Sequence, residues 1–168
     1  MIDFTKSQQY TLSIRLSTDG FSFSIYNPIH DNSLSTIEKE TDTSLSLTAN
    51  LKATFRESDF LNHSYKRVNI MMADKRFTIV PLELFEEEQA ELLFYHNHQK
   101  RENETVICNI LKKNNVVIIF GMDKSAHTFL SEQYPEAHFY SQSTPLIDYF
   151  SVKSRLGNSK KMYVSIRR

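Results

Sequence analysis

The chain has little of what the most recognisable sites are built from. Its 168 residues hold one cysteine, Cys108, and three glycines, Gly20, Gly121 and Gly157. A single cysteine excludes an internal disulfide and any cysteine zinc cluster. Three glycines leave few places for a phosphate-cradling loop, in which backbone amides must approach an anion closely. An excess of one charge is missing as well, because 20 Lys+Arg stand against 20 Asp+Glu. Duplex nucleic-acid binders show a basic excess, so nucleic acid is not expected as a partner. Long apolar runs are also lacking. The most apolar stretch, Val116 to Phe120, is far short of the ~20 residues that span a bilayer. The opening MIDFTKSQQY has no apolar core of a signal peptide. The expectation is a cytoplasmic protein without a membrane partner. In that setting the glycosylation patterns at Asn62-His63-Ser64 and Asn103-Glu104-Thr105 carry no meaning.

What is present is the composition of an ordinary folded domain, 40% hydrophobic, 24% charged and 12% aromatic. At this length one domain can bury ~70% of its unfolded surface. Tyr10, Leu12, Ile14 and Leu16 alternate with polar residues, and Phe21, Phe23 and Ile25 alternate with serines, which predicts two strands. Between them Asp19-Gly20 predicts a hairpin with positive φ at the turn. Pro28 ends the second strand, and a weaker third strand lies in Ser33 to Thr41.

Ser44 to Phe60 satisfies two periods at once. Its length favours a helix over a strand, with Ser44 as cap. Lys66 to Met72 and Arg76 to Val80 read as strands. Pro81 then opens an acidic helix over Leu84 to Tyr95, its glutamates set near the positive end of the helix dipole. Glu104 to Leu111 and Asn115 to Gly121 form two strands around a Lys-Lys-Asn-Asn turn, the second covered on both faces. Asp123 caps a helix ending near Tyr134-Pro135. Ala137 to Tyr140 is a short strand. Ser143-Thr144-Pro145 starts a helix with Pro in its first turn, running to Leu156-Gly157. Lys161 to Ile166 reads as a further strand. The order predicts a mixed α/β (α+β) sheet that begins with a three-strand meander and carries flanking helices.

That order resembles the ribonuclease-H-like half of the actin-like ATPase fold. The stretches LSIRLSTDGFSFSIYNP, FTIVPLELF, NNVVIIFGMDKSAHTFLSEQYPEAHFY and TPLIDYFSVKSRLGN are similar to one uncharacterised bacterial family of that superfamily, a domain of unknown function. The resemblance implies a first half over residues 1–157, with 158–168 as linker and opening strand of a second half outside the chain. Actin-like ATPases carry Asp-x-Gly-(Ser/Thr) at the end of the first strand, where the Asp organises the metal and its waters. Here Arg15 stands in place of the Asp and Ser17 in place of the Gly. Asp19-Gly20 comes too late and is left as the turn. The resemblance therefore implies the fold without the ATPase activity: a non-catalytic scaffold or interaction module, with no cofactor, meeting an unidentified protein partner or a second copy of itself. The alternative is a divergent nucleotide-binding protein whose pocket needs the second half or a partner chain. A two-metal nuclease is disfavoured, because Arg15 occupies the place of its first carboxylate.

The remaining candidates are weighed against plainer roles. Ligands in open α/β sheets gather at strand ends and helix starts, so Asp123, Ser143 and Thr144 mark the expected pocket, although capping alone also accounts for them. His96 and His98 are expected as solvated residues at a helix end, and Cys108 as a small buried hydrophobe. Phe21, Phe23 and Tyr26 are expected in the sheet core. The basic tail of Lys153, Arg155, Lys160, Lys161, Arg167 and Arg168 is expected as solvated surface. No metal site is expected.

Overall fold

The computed structural model describes residues 2–29 and 33–156. The expected strand at 161–166, the linker before it, and Lys160, Lys161, Arg167 and Arg168 lie outside the described residues. Alternation decides the first elements. In β1 (Thr11–Leu16) and β2 (Gly20–Asn27) every second side chain is buried, Leu12, Ile14 and Leu16 from one strand and Phe21, Phe23 and Ile25 from the other. β3 (Ser33–Glu40) completes the antiparallel meander. Helix α1 (Leu47–Glu57) follows, then β4 (Arg67–Met72) parallel to β1. β5 (Phe77–Pro81), α2 (Ala90–Asn97), β6 (Glu104–Leu111) and β7 (Val116–Asp123) come next. The described chain finishes with α3 (Lys124–Gln133), β8 (His138–Ser141) and α4 (Ser143–Leu156).

The principal sheet has the order β3-β2-β1-β4-β8, with β4 and β8 parallel to the first strand. This is the ribonuclease-H-like arrangement expected from the sequence. Its core lies on the face covered by α1 and α3, where Leu51, Phe55, Ala126 and Leu130 pack onto Leu12, Ile14, Phe23 and Ile70. One expectation is corrected here: not every strand joins one mixed sheet. β5, β7 and β6 form a separate antiparallel sheet in that order, inserted between β4 and α3. β7 is its middle strand and is buried on both sides, which its unbroken apolar run requires. Val117 and Ile119 pack with Phe94 of α2, while Met122 on the other face joins the principal core.

Four local expectations are also corrected. The β1–β2 turn is not the positive-φ type, because its central residues are Thr18 and Asp19 and neither has positive φ. Gly20 belongs to β2 and faces Glu40 of β3; a Cβ there would sit 2.9 Å from the Lys39 carbonyl oxygen. The glycine serves close strand approach rather than the turn. α1 is capped by Ser46, whose hydroxyl accepts from the Ala49 amide at 3.2 Å. Ser44 instead donates to Asp42. Pro81 ends β5, and two short 3-10 turns, 82–84 and 87–89, precede α2, so only Glu91 lies in that helix's first turn. Tyr26 projects away from the core and is 37% exposed.

Candidate functional site

The strand ends of β1, β4 and β7 and the starts of α1 and α3 enclose a cavity of about 780 Å³ at the crest of the principal sheet. This is where the resemblance places a phosphate. The β1–β2 turn forms one wall. The Ser17 amide donates to the Gly20 carbonyl at 3.1 Å, and the Ser17 hydroxyl donates to the Asp19 carboxylate and to the Gly20 carbonyl. The serine hydroxyl holds the Asp19 carboxyl below the usual carboxylate range. The next wall is the Asp42 loop. Its carboxylate accepts from the Ser44 hydroxyl at 2.6 Å and the Ser44 amide at 2.9 Å, and both lower its pKa. Asn50 locks that loop to α1, accepting from the Asp42 amide at 2.8 Å and donating to its carbonyl at 2.9 Å.

Asp123 forms the third wall and is fully engaged. One oxygen accepts from the Ala126 amide at 2.8 Å, capping α3, and from the Thr48 hydroxyl at 3.2 Å; the other accepts from the Asn103 side-chain amide at 2.9 Å. Asn103 has φ of 55°, a conformation asparagine tolerates better than most residues. Behind it lies a buried ion pair between Arg76 and Glu104, whose side chains are 12% and 5% exposed. Tyr95 donates to Glu104 at 3.2 Å, and the guanidinium stacks 5.3 Å from the Phe94 ring centre. Gly121 makes room for this pair, since a Cβ there would fall on the Glu104 carboxylate.

The crest cavity is lined by Asp19, Asp42, Asp74, Asp123, Glu102 and Glu104, against Lys75 and Arg101, with Arg76 behind the wall neutralising Glu104. Arg101 is already 3.4 Å from Asp74. A phosphate would meet repulsion here. Arg15 does not line the cavity. It alternates in β1 with the buried Leu12, Ile14 and Leu16, so it shares the opposite face of the sheet with Ser13, beside Met71.

The structure separates the three residues expected to mark a pocket. Asp123 lines the crest cavity. Ser143 and Thr144 stand at the start of α4, and Thr144 lines a second cavity, of about 620 Å³, behind the principal sheet. A polar link between the two sheets, beside the apolar contact that Met122 makes with the principal core, is Asn109 of β6. Its side chain donates to the Phe139 carbonyl at 2.8 Å and accepts from the Ser141 amide at 3.0 Å and the Thr144 hydroxyl at 2.7 Å. It thereby covers the open edge of β8. Asn109 was not singled out from the sequence, although a polar residue inside the apolar TVICNIL is a visible signal.

His98 is part-buried rather than solvated, 3.2 Å from the Phe77 carbonyl oxygen and 4.7 Å from the Phe94 ring centre. His96 is exposed. Cys108 is half-buried against the second core, and burial raises its thiol pKa, which disfavours the thiolate. Among the described residues, no three His, Cys, Asp or Glu side chains converge as a metal would need, and no helix is long and apolar enough to cross a membrane.

A family model described as a protein of unknown function (DUF3822) matches residues 1–168. No curated protein matches the chain. Among solved structures, the chain is similar to a crystal structure from Bacteroides thetaiotaomicron VPI-5482, a protein with actin-like ATPase fold and unknown function. The two are 81% identical with a TM-score of 0.90, and the match covers 99% of this chain and 65% of that one. The chain thus spans slightly less than two thirds of that relative.

Proposed function

The chain belongs to the DUF3822 family of unknown function, and from that premise we propose that it is a non-catalytic scaffold or protein-interaction module on an actin-like fold, working in the cytoplasm. The observation that carries this reading is the chemistry of the crest. Of the six acidic residues lining the place where a phosphate would sit, Glu104 and Asp74 are paired with Arg76 and Arg101, and Asp19, Asp42, Glu102 and Asp123 have no ion-pair partner among the described residues; Arg15 and Ser17 replace the Asp and Gly of the phosphate loop. Electrostatic preorganisation for phosphoryl transfer needs the opposite arrangement, cations and amides aimed at the phosphate oxygens. An interaction role draws support from α4, where Leu146, Tyr149, Val152 and Leu156 are exposed at intervals of three or four residues. That spacing puts them on one helical stripe.

Calorimetric titration with ATP, ADP and GTP, each with magnesium, tests the reading. No binding is expected for the chain. Micromolar binding of any of the three overturns the non-catalytic role. Light scattering and chemical cross-linking test the other part, for which a complex with a partner or a second copy is expected.

A further inference from the structure

The second cavity has a chemistry unlike the crest. We propose that it binds a small aromatic carboxylate bearing an N–H or O–H donor. Its floor is the back of β1, β4 and β8, and its walls are the β6–β7 turn and the first turns of α4. About 620 Å³ lies in the range of small-molecule sites. Three features select the ligand.

The first is uncompensated positive charge. Arg67, Lys112 and Lys113 line the cavity, and none of them has a carboxylate partner among the described residues. Arg67 is held in place by two neutral groups, donating from Nε to Asn69 at 3.0 Å and from Nη2 to the Tyr140 hydroxyl at 3.2 Å. A guanidinium fixed through neutral partners keeps its charge and its remaining donors for an anion. Asp148 on the α4 wall disfavours a dianion more than a monoanion, so a carboxylate fits better than a phosphate.

The second feature is an orphaned acceptor. The side-chain oxygen of Asn114 is buried without a hydrogen-bond partner, while its amide nitrogen reaches toward the Ile147 carbonyl at 3.5 Å. A buried acceptor left unpaired is costly, and a donor on a ligand would satisfy it. The third feature is apolar surface without cover. Ile110 is 51% exposed, and it lines the cavity with Met71, Pro145 and the Tyr140 ring. A flat aromatic body suits that wall.

Amide NMR titration of the chain with indoleacetate tests the site, because this probe combines a carboxylate, a flat ring and an N–H. Shifts confined to residues 67–71, 110–114, 140 and 144–148 are expected, with a dissociation constant of about 1 mM or below. Arg67→Gln should weaken binding about tenfold. The exposed pair Lys112→Gln and Lys113→Gln should weaken it less and reduce its salt dependence. Asn114→Ala should abolish the preference for indoleacetate over its N-methyl analogue. The proposal is overturned if no shift appears at about 5 mM probe, if the amine tryptamine binds as well as the acid, if the shifts fall on the crest residues instead, or if Arg67→Gln binds unchanged.

Discussion

Asn109→Ala is the perturbation with the most to say about how the two sheets hold together. The side chain is 8% exposed and makes three hydrogen bonds of 2.7–3.0 Å. Each contributes about 1 kcal/mol net. Removing Asn109 also strands the amide of Ser141, a residue only 1% exposed, and an amide cannot rotate toward water as the Thr144 hydroxyl can. The expected destabilisation is therefore about 3 kcal/mol. For a domain of 168 residues this lowers Tm by roughly 6–12 °C. Urea denaturation followed by circular dichroism measures the free energy, and hydrogen exchange at Ser141 reports the local opening. A second substitution, Thr144→Val, made on Asn109→Ala should cost less than it does alone, because the two residues share one hydrogen bond. A loss under about 1 kcal/mol, with the Ser141 amide still protected, would refute the clamp.

Three further outcomes follow from buried groups. Glu104→Gln should destabilise by about 3–5 kcal/mol, since it leaves Arg76 buried without its counter-charge; Gly121→Ala should also be destabilising, because its Cβ falls on the same carboxylate, and both are read by thermal melting. At alkaline pH, stability should fall from about pH 10 toward pH 12. Burial pushes Tyr65 up to about 12 and raises Tyr134 further. Their hydroxyls donate to the Phe60 and Leu61 carbonyls at 2.7 and 2.6 Å. A folded-state pKa above the unfolded one gives stability that is complete below the unfolded value and lost as pH rises to the folded value. Ultraviolet titration of the tyrosines, compared with Tyr65→Phe, checks the assignment.

Much of the fold was legible because its signals are local. Alternation in β1 and β2, the apolar run of β7, the Asp123 cap and Pro145 in the first turn of α4 each depend on neighbours a few residues away. The division into two sheets was not legible, since whether β5 to β7 pair with each other or with β4 is decided by distant contacts. The crest was hidden for the same reason. Its carboxylates sit at positions 19, 42, 74, 102, 104 and 123, in separate loops and strand ends that only the fold brings together. The Asp-Gly turn misled in one respect: Gly20 is needed for its approach to β3, and the turn itself uses Thr18 and Asp19 at negative φ. The absence of the phosphate-loop residues, by contrast, needed only the alignment of Arg15 and Ser17 with the pattern.

The most direct test of the non-catalytic role is an amide NMR titration of the chain with magnesium and ATP, watching Ser17 to Gly20 and Asp123. No shift at millimolar nucleotide is expected from a chain that carries Arg15 and Ser17 in place of the phosphate-loop Asp and Gly and a crest with more acidic than basic residues. Saturable shifts at those residues, with a micromolar dissociation constant, would contradict it.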